Sequence, residues 1–144
     1  MSLVNPDIIY LDANAIIQLV EGEAPELLFL AEMAAADLIR IYTSELSLAE
    51  VLVGPLRKSQ NELVNFYEDM LKSDDFIAVL KVDRPILRHS AELRATLGFK
   101  GPDAIHVATS LASGCTIFVS SDKRIRLPEG MKRVELHQLN EAEE

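Results

Sequence analysis

The chain has 144 residues, 49% of them hydrophobic, and a formal net charge of −9. That length and composition suit one globular domain over residues 1–144 and exclude a disordered chain. No apolar run approaches the ~20 residues of a membrane-spanning helix, and the start of the chain has neither the basic nor the apolar segment of a secretion signal, so a soluble cytoplasmic protein is expected.

The first element is "DIIYL" (7–11), an apolar run without alternation, as in a parallel strand covered on both faces. It ends on a carboxylate, Asp12, with Asn14 two positions on. A short helix from Ala13 to about Val20 follows, broken by "EGEAP". A second helix over about 25–38 begins at Pro25 and has Glu23 and Glu26 near its positive end. Its Leu27, Leu28, Phe29, Leu30 and Met33 suit core packing or, alternatively, a face for a partner chain. "LIRIYT" (38–43) reads as the second strand. "SELSLAEVLVG" (44–54) reads as a helix stopped by Gly54, within which Ser47 and Glu50 have capping-box spacing.

Residues 59–72 form an amphipathic helix with Leu63, Phe66, Tyr67, Met70 and Leu71 on one side. "FIAVLKV" (76–82) is the third strand, and Asp83 with Pro85 starts a helix to about Leu97. "PDAIHVATSLASG" (102–114) is a helix with proline near its start and Gly114 past its end. "TIFVS" (116–120) is the fourth strand, and "SDKRIR" a turn with at most one helical turn. "RVELHQL" (133–139) completes the set as a short edge strand, and the acidic "NEAEE" (140–144) is a frayed tail. Strands alternating with helices predict a parallel sheet in a three-layer α/β/α sandwich. Cys115, the single cysteine, excludes an internal disulfide and a multi-thiolate zinc site, and heads a strand where an inert buried thiol is expected.

In open parallel sheets, ligands bind beyond the carboxyl ends of the strands. Four acids map to that edge: Asp12 after the first strand, Glu50 on the helix after the second, Asp103 opening the helix into the fourth, and Asp122 after the fourth. Singly, each has a structural use as a cap, a dipole partner or a turn former. Together they crowd like charges, which raise one another's pKa unless a cation offsets them. A hard divalent ion, Mg²⁺ or Mn²⁺, is the economical offset, because Mg²⁺ takes oxygen ligands and keeps several waters.

"YLDANAII", "SLAEVLVG", "GPDAIHVATSLASG" and "FVSSDKRI" resemble, in order, the motif blocks of the PIN-domain ribonucleases, particularly the VapC-type toxins of prokaryotic toxin–antitoxin pairs. The resemblance covers residues 7 to 137. It implies a five-stranded parallel sheet in the order 3-2-1-4-5 and an acidic quartet of Asp12, Glu50, Asp103 and Asp122. It also implies a polar neighbour at Asn14 and a small hydroxyl at Ser121. On that basis Asp12, Asp103 and Asp122 are the expected metal ligands, and Glu50 orients or deprotonates the attacking water or holds a second ion. RNA hydrolysis leaving a 5′-phosphate and a 3′-hydroxyl, a small antitoxin partner and a homodimer are further implications.

The charge is segregated, which suits either one electropositive face for a phosphate backbone or simply a solvated helix face and a basic loop. Residues 1–80 carry 14 acids and 4 bases, residues 81–133 carry 5 acids and 10 bases, and residues 134–144 carry 4 acids and no base. Arg84, Arg88, Arg94, Lys100, Lys123, Arg124, Arg126, Lys132 and Arg133 are candidates for one electropositive face, and Lys123, Arg124, Arg126 and Lys100 for contacts to phosphates. His106, three residues after Asp103 on the same helix, is expected to pack or to support the acids rather than to ligate. His89 and Glu92 are expected to form a solvated pair.

Two rival functions remain at this level. One is a phosphotransfer domain on a similar sheet; it needs an aspartate where Asn14 stands, or a phospho-acceptor after strand three, where only Asp83 is offered. The other is a catalytically inactive PIN-like scaffold that binds RNA or protein.

Overall fold

The computed structural model describes residues 7–72 and 74–141. Five strands, β1 (Asp7–Leu11), β2 (Ile39–Ser44), β3 (Ala78–Leu80), β4 (Ile117–Val119) and β5 (Lys132–Val134), form one sheet in the order β3-β2-β1-β4-β5. Every neighbouring pair is parallel. The expected order and fold class are therefore both found.

Successive side chains of a strand point to opposite faces, and β1 shows the consequence. Ile9 and Leu11 pack with Ile16, Leu30, Ile41 and Tyr67 on one face, where helices α1 (Ala13–Glu21), α2 (Glu26–Ala35), α3 (Glu45–Val51) and α5 (Asn61–Met70) cover the sheet. Tyr10 points the other way, into a second core with Phe118, Ile86, Leu93 and Val107 beneath α6 (Arg84–Leu97) and α7 (Gly101–Ala112). Both faces of β1 are thus dry from Ile9 to Leu11, which is why that stretch is apolar.

Several boundaries follow from local chemistry. Asp83 caps α6, its Oδ1 accepting from the Ile86 N–H at 3.2 Å, as the Asp83–Pro85 signal predicts. Gly114, with φ of 77°, ends α7: its own N–H reaches the Leu111 carbonyl and that of Cys115 the Ser110 carbonyl. This is a Schellman stop, and glycine suits its left-handed position. The same stop ends α2 at Ala35, short of the predicted 38, but there a non-glycine residue, Asp37, takes the left-handed φ of 58°. Leu38 N–H then bonds Met33 O at 3.0 Å and Asp37 N–H bonds Ala34 O at 3.1 Å.

The predicted helix over 44–54 is two helices, and Gly54 does not stop it. Gly54 lies inside α4 (Val53–Arg57). The break comes from Pro55, which has no N–H to offer the Val51 carbonyl, so α3 ends at Val51 and Leu52 stands between the two helices. The Ser47–Glu50 capping box is also absent. Ser44 caps α3 by accepting from Leu46 N–H at 3.0 Å, while Ser47 is buried with its Oγ 2.6 Å from Thr43 Oγ1.

At the end of the chain, the predicted 133–139 strand is shortened to β5, and α8 (Gln138–Glu141) follows. Val134, Leu136 and Leu139 are all buried, so the apolar spacing shifts from two to three at Leu136. The expected tail begins inside α8, and its residues 142–144 lie outside the described residues. Phe66, expected on the inner side of its helix, is 48% exposed. In α2, Leu30 is buried and Leu27, Phe29 and Met33 pack against the core, whereas Leu28 faces outward. "SDKRIR" forms a turn without helix. No helix is long and apolar enough to cross a membrane among the described residues.

Candidate active site

β1 has β2 on one side and β4 on the other, so the chain switches direction across the sheet between β1 and β4. Such a switch point opens a crevice at the carboxyl ends of the two strands. Asp12 follows β1 and Asp122 follows β4, on either side of it. The strand ends are tied together there: Asp12 N–H bonds Val119 O at 3.4 Å.

Asp12 is buried and caps α1, its Oδ1 accepting from Ala15 N–H at 2.8 Å. Burial raises its pKa above the usual carboxylate range, and the negative charge of Asp103 pushes in the same direction. The Ala15 N–H, the Ser120 hydroxyl and His106 oppose that rise. Asp103 lies in the first turn of α7, positioned by Gly101 and Pro102. Its pKa is raised as well, first by burial, then by Asp122; Glu50 adds to the rise, and His106 and Lys100 moderate it. These acids thus sense one another, as crowding at one edge predicts.

Glu50, on α3, places Oε1 at 2.6 Å from His106 Nε2. His106 is 3% exposed, and its Nδ1 lies 2.7 Å from the Tyr10 hydroxyl. Tyr10 is fully buried and stacks on Phe118 with ring centroids 5.3 Å apart. The expected supporting role of His106 is met, by bonds to an acid and a tyrosine on two other elements.

Asp122 is held differently. Its Oδ1 accepts from Arg124 N–H at 2.9 Å and from Arg124 Nε at 3.1 Å, and Arg124 Nη2 donates to Oδ2 at 3.4 Å. The guanidinium and the backbone N–H of Arg124 hold this carboxyl below its usual range. Asp122 and Asp103 share a cleft of about 180 Å³ with Phe99, Lys100, Arg124 and Arg126. Asp12 and Glu50 do not line that cleft; their link to it is the electrostatic coupling to Asp103.

Among the described residues, no three His, Cys, Asp or Glu side chains stand close enough to hold a metal ion together. The four acids expected from the sequence form one electrostatic neighbourhood rather than a closed cage. Their chemistry nevertheless suits a hard divalent ion, since the donors are carboxylate oxygens and Mg²⁺ completes its shell with water. Asp12 and Asp103 are the acids that could hold such an ion, since among the described residues no basic side chain is paired with either, whereas Asp122 already has Arg124.

Of the basic residues, Lys100, Arg124 and Arg126 line the cleft, and Lys123 is exposed outside the lining. Arg133 Nη1 donates to Ser120 O at 2.7 Å, and Arg88 approaches Glu92 at 3.9 Å, in place of the expected His89–Glu92 pair. Asn14 and Ser121 are exposed. The hydroxyl that reaches the acids is Ser120, one position before Ser121; it accepts from Asp122 N–H at 3.1 Å and moderates Asp12. Tyr10 and Ser120 are the contributors that the sequence did not single out. Of the two, Tyr10 left a signal, as a phenol inside an otherwise aliphatic strand beside the first acid.

Solved structures with this fold include VapBC2 from Rickettsia felis bound to a DNA fragment from its promoter, 18% identical, with a TM-score of 0.70 over 89% of this chain and 98% of that one. A toxin–antitoxin complex from Klebsiella pneumoniae is 22% identical, with a TM-score of 0.64 over 89% and 97%. VapC20 from Mycobacterium tuberculosis, described as a Sarcin-Ricin loop cleaving toxin, is 15% identical, with a TM-score of 0.63 over 80% and 90%. At these identities the likeness is one of fold. No curated protein matches the chain. The PIN domain family matches residues 9–130, a span that takes in all four acids. With that match over most of its length and the sheet order the resemblance implied, the chain belongs to the PIN-domain family.

Proposed function

We propose that this protein is a Mg²⁺- or Mn²⁺-dependent endoribonuclease and the toxin of a toxin–antitoxin pair. The observation that carries this reading is the placement of three acids at the switch-point crevice, with Asp12 after β1 and Asp103 and Asp122 lining one cleft, close enough that Asp103 raises the pKa of Asp12 and Asp122 that of Asp103. Crowded carboxyls next to a cleft rimmed by Lys100 and Arg126 suit a divalent cation and a phosphate backbone together.

Asp12 and Asp103 would hold the cation, with Asp122 joining directly or through water. When bound, the ion acidifies water and offsets charge on the phosphoryl group. Glu50 orients the attacking water and accepts its proton. Lys100, Arg124 and Arg126 hold phosphates flanking the scissile bond, with Lys123 further out, and position the RNA without reading its sequence. The toxin–antitoxin complexes among the structural neighbours support a small antitoxin partner, and a homodimer in the cytoplasm goes with that assignment.

RNA cleavage by the pure protein tests this directly. Cleavage requires Mg²⁺ or Mn²⁺, stops in excess EDTA and is lost in Asp12→Asn; activity that persists in EDTA would overturn the proposal. The alternative of an inactive scaffold has two observations in its favour, the engagement of both Asp122 oxygens by Arg124 and, among the described residues, the absence of three side chains close enough to hold a metal ion together. Calorimetry separates the two, because a scaffold without chemistry has no reason to bind Mn²⁺.

A further inference from the structure

We infer that Tyr10 and His106 are positioning residues that fix Glu50 for its work on the attacking water, through a directed hydrogen-bond chain running from β1 through α7 to α3. The inference rests on the nuclease reading and assigns two side chains to it.

The direction of the chain follows from the donor inventory. An ionised carboxylate only accepts, so the 2.6 Å contact between Glu50 Oε1 and His106 Nε2 requires the proton on Nε2. The Nε2–H tautomer that we assign leaves Nδ1 as an acceptor for the Tyr10 hydroxyl at 2.7 Å. Both ring nitrogens of a nearly inaccessible histidine are thereby satisfied, as buried polar atoms require.

The chain also has the rigidity that positioning needs. Tyr10 cannot swing away, because its ring is stacked on Phe118 at an interplanar angle of 12° and set edge-on to His106 at 65°. Its backbone lies two residues before Asp12, and His106 lies one helical turn after Asp103. A single side-chain chain therefore ties Glu50 to β1, which leads into Asp12, and to α7, which carries Asp103. Glu50 itself is 35% exposed in its side chain, and a glutamate at such a site has rotamer freedom to lose. Oε1 is committed to His106, while Oε2 makes no hydrogen bond among the described residues and is the oxygen left for water. Holding a reacting group in place in advance lowers the entropic cost of the step.

Kinetics and nitrogen NMR of Tyr10→Phe, His106→Gln, Glu50→Gln and the His106→Gln/Glu50→Gln double variant test the chain. Outer-shell substitutions of this kind cost roughly 10–100-fold, so His106→Gln should lower kcat by that factor with the RNA KM unchanged. The double variant should be no slower than Glu50→Gln alone, because both act at one oxygen. Tyr10→Phe keeps the stacked ring and should lower kcat by a smaller factor, and it decides the matter if His106→Gln does not fold. In the wild type the ring nitrogens of His106 should report the Nε2–H tautomer. Additive losses, an unchanged kcat in a folded His106→Gln, or an Nδ1–H tautomer would overturn the chain and leave the nuclease reading standing. A wild type that cleaves no RNA with either ion would overturn both.

Discussion

The two walls of the crevice use the same residue type to opposite effect. On the wall built by β1, α3 and α7, burial pushes Asp12 and Asp103 above the usual carboxylate range. On the turn after β4, Arg124 holds the more exposed Asp122 below it. One wall therefore crowds its carboxyls without an arginine partner, and the other has paired its own. The environment sets this contrast, since an aspartate carries no preference for either state.

Asp103→Asn breaks the contrast most severely, and it should move two quantities in opposite directions. Losing a ligand removes several kcal/mol of transition-state stabilisation, or roughly a thousandfold in RNA cleavage. Without divalent ions, the same substitution removes a charge that repels Asp12, Asp122 and Glu50, so the melting temperature should rise. A variant that loses activity and stability together would show that Asp103 serves the fold rather than a cation.

How much of this was legible in the sequence differs between the walls. The sheet order came with the motif blocks, and Asp12, Asp103 and Asp122 stand after β1, at the start of α7 and after β4, where the apolar runs and the Pro102 signal put them. The partners were harder, because they belong to distant elements. Nothing local in "SLAEVLVG" shows that Glu50 faces a histidine 56 positions away, and its spacing from Ser47 mimicked a capping box that the structure does not form. The Ser120–Ser121 choice depended on register, since one step along a strand end turns a hydroxyl from solvent to interior. Asp37 in a left-handed stop was hidden because glycine is the usual signal there.

Beneath the buried wall, Thr43→Val tests how far the acids depend on the polar core under them. Thr43 is fully buried; its Oγ1 donates to Leu11 O at 2.7 Å and contacts Ser47 Oγ at 2.6 Å. Valine has nearly the same shape but leaves the Leu11 carbonyl and the Ser47 hydroxyl without that partner. The cost is about 1–3 kcal/mol, seen as a fall in thermal or denaturant stability. Unchanged stability would mean that the network is replaced, for example by water.

The pH dependence of the ion-free protein should carry the signature of both walls. A carboxyl whose folded pKa is raised favours the folded state most when protonated, so that contribution is lost as pH rises through the raised values. Asp12 and Asp103 should therefore lower stability as pH climbs from the ordinary value of 3.8 through their raised ones. Asp122 has the opposite sign: its small contribution is present above 3.8 and lost as pH falls through its depressed value. Melting curves in EDTA should show the upper decline, and Asp103→Asn should flatten it. A curve without that decline would mean that Asp12 and Asp103 are not perturbed in the folded chain.

The smallest effect belongs to Arg124→Ala, and it sharpens the comparison from the exposed side. Ion pairs at the surface contribute little because solvent screens them and ordering two side chains costs entropy, so the melting temperature should not change. The carboxyl of Asp122 should move up towards 3.8, because the substitution removes the guanidinium and leaves the backbone N–H as its remaining partner. With those oxygens released and a positive charge gone from beside Asp103, Mn²⁺ should bind more tightly by calorimetry. RNA should bind more weakly, since the same guanidinium lines the cleft. An unchanged Mn²⁺ affinity would place the cation on the buried wall alone, with Asp122 and Arg124 serving only the turn they form.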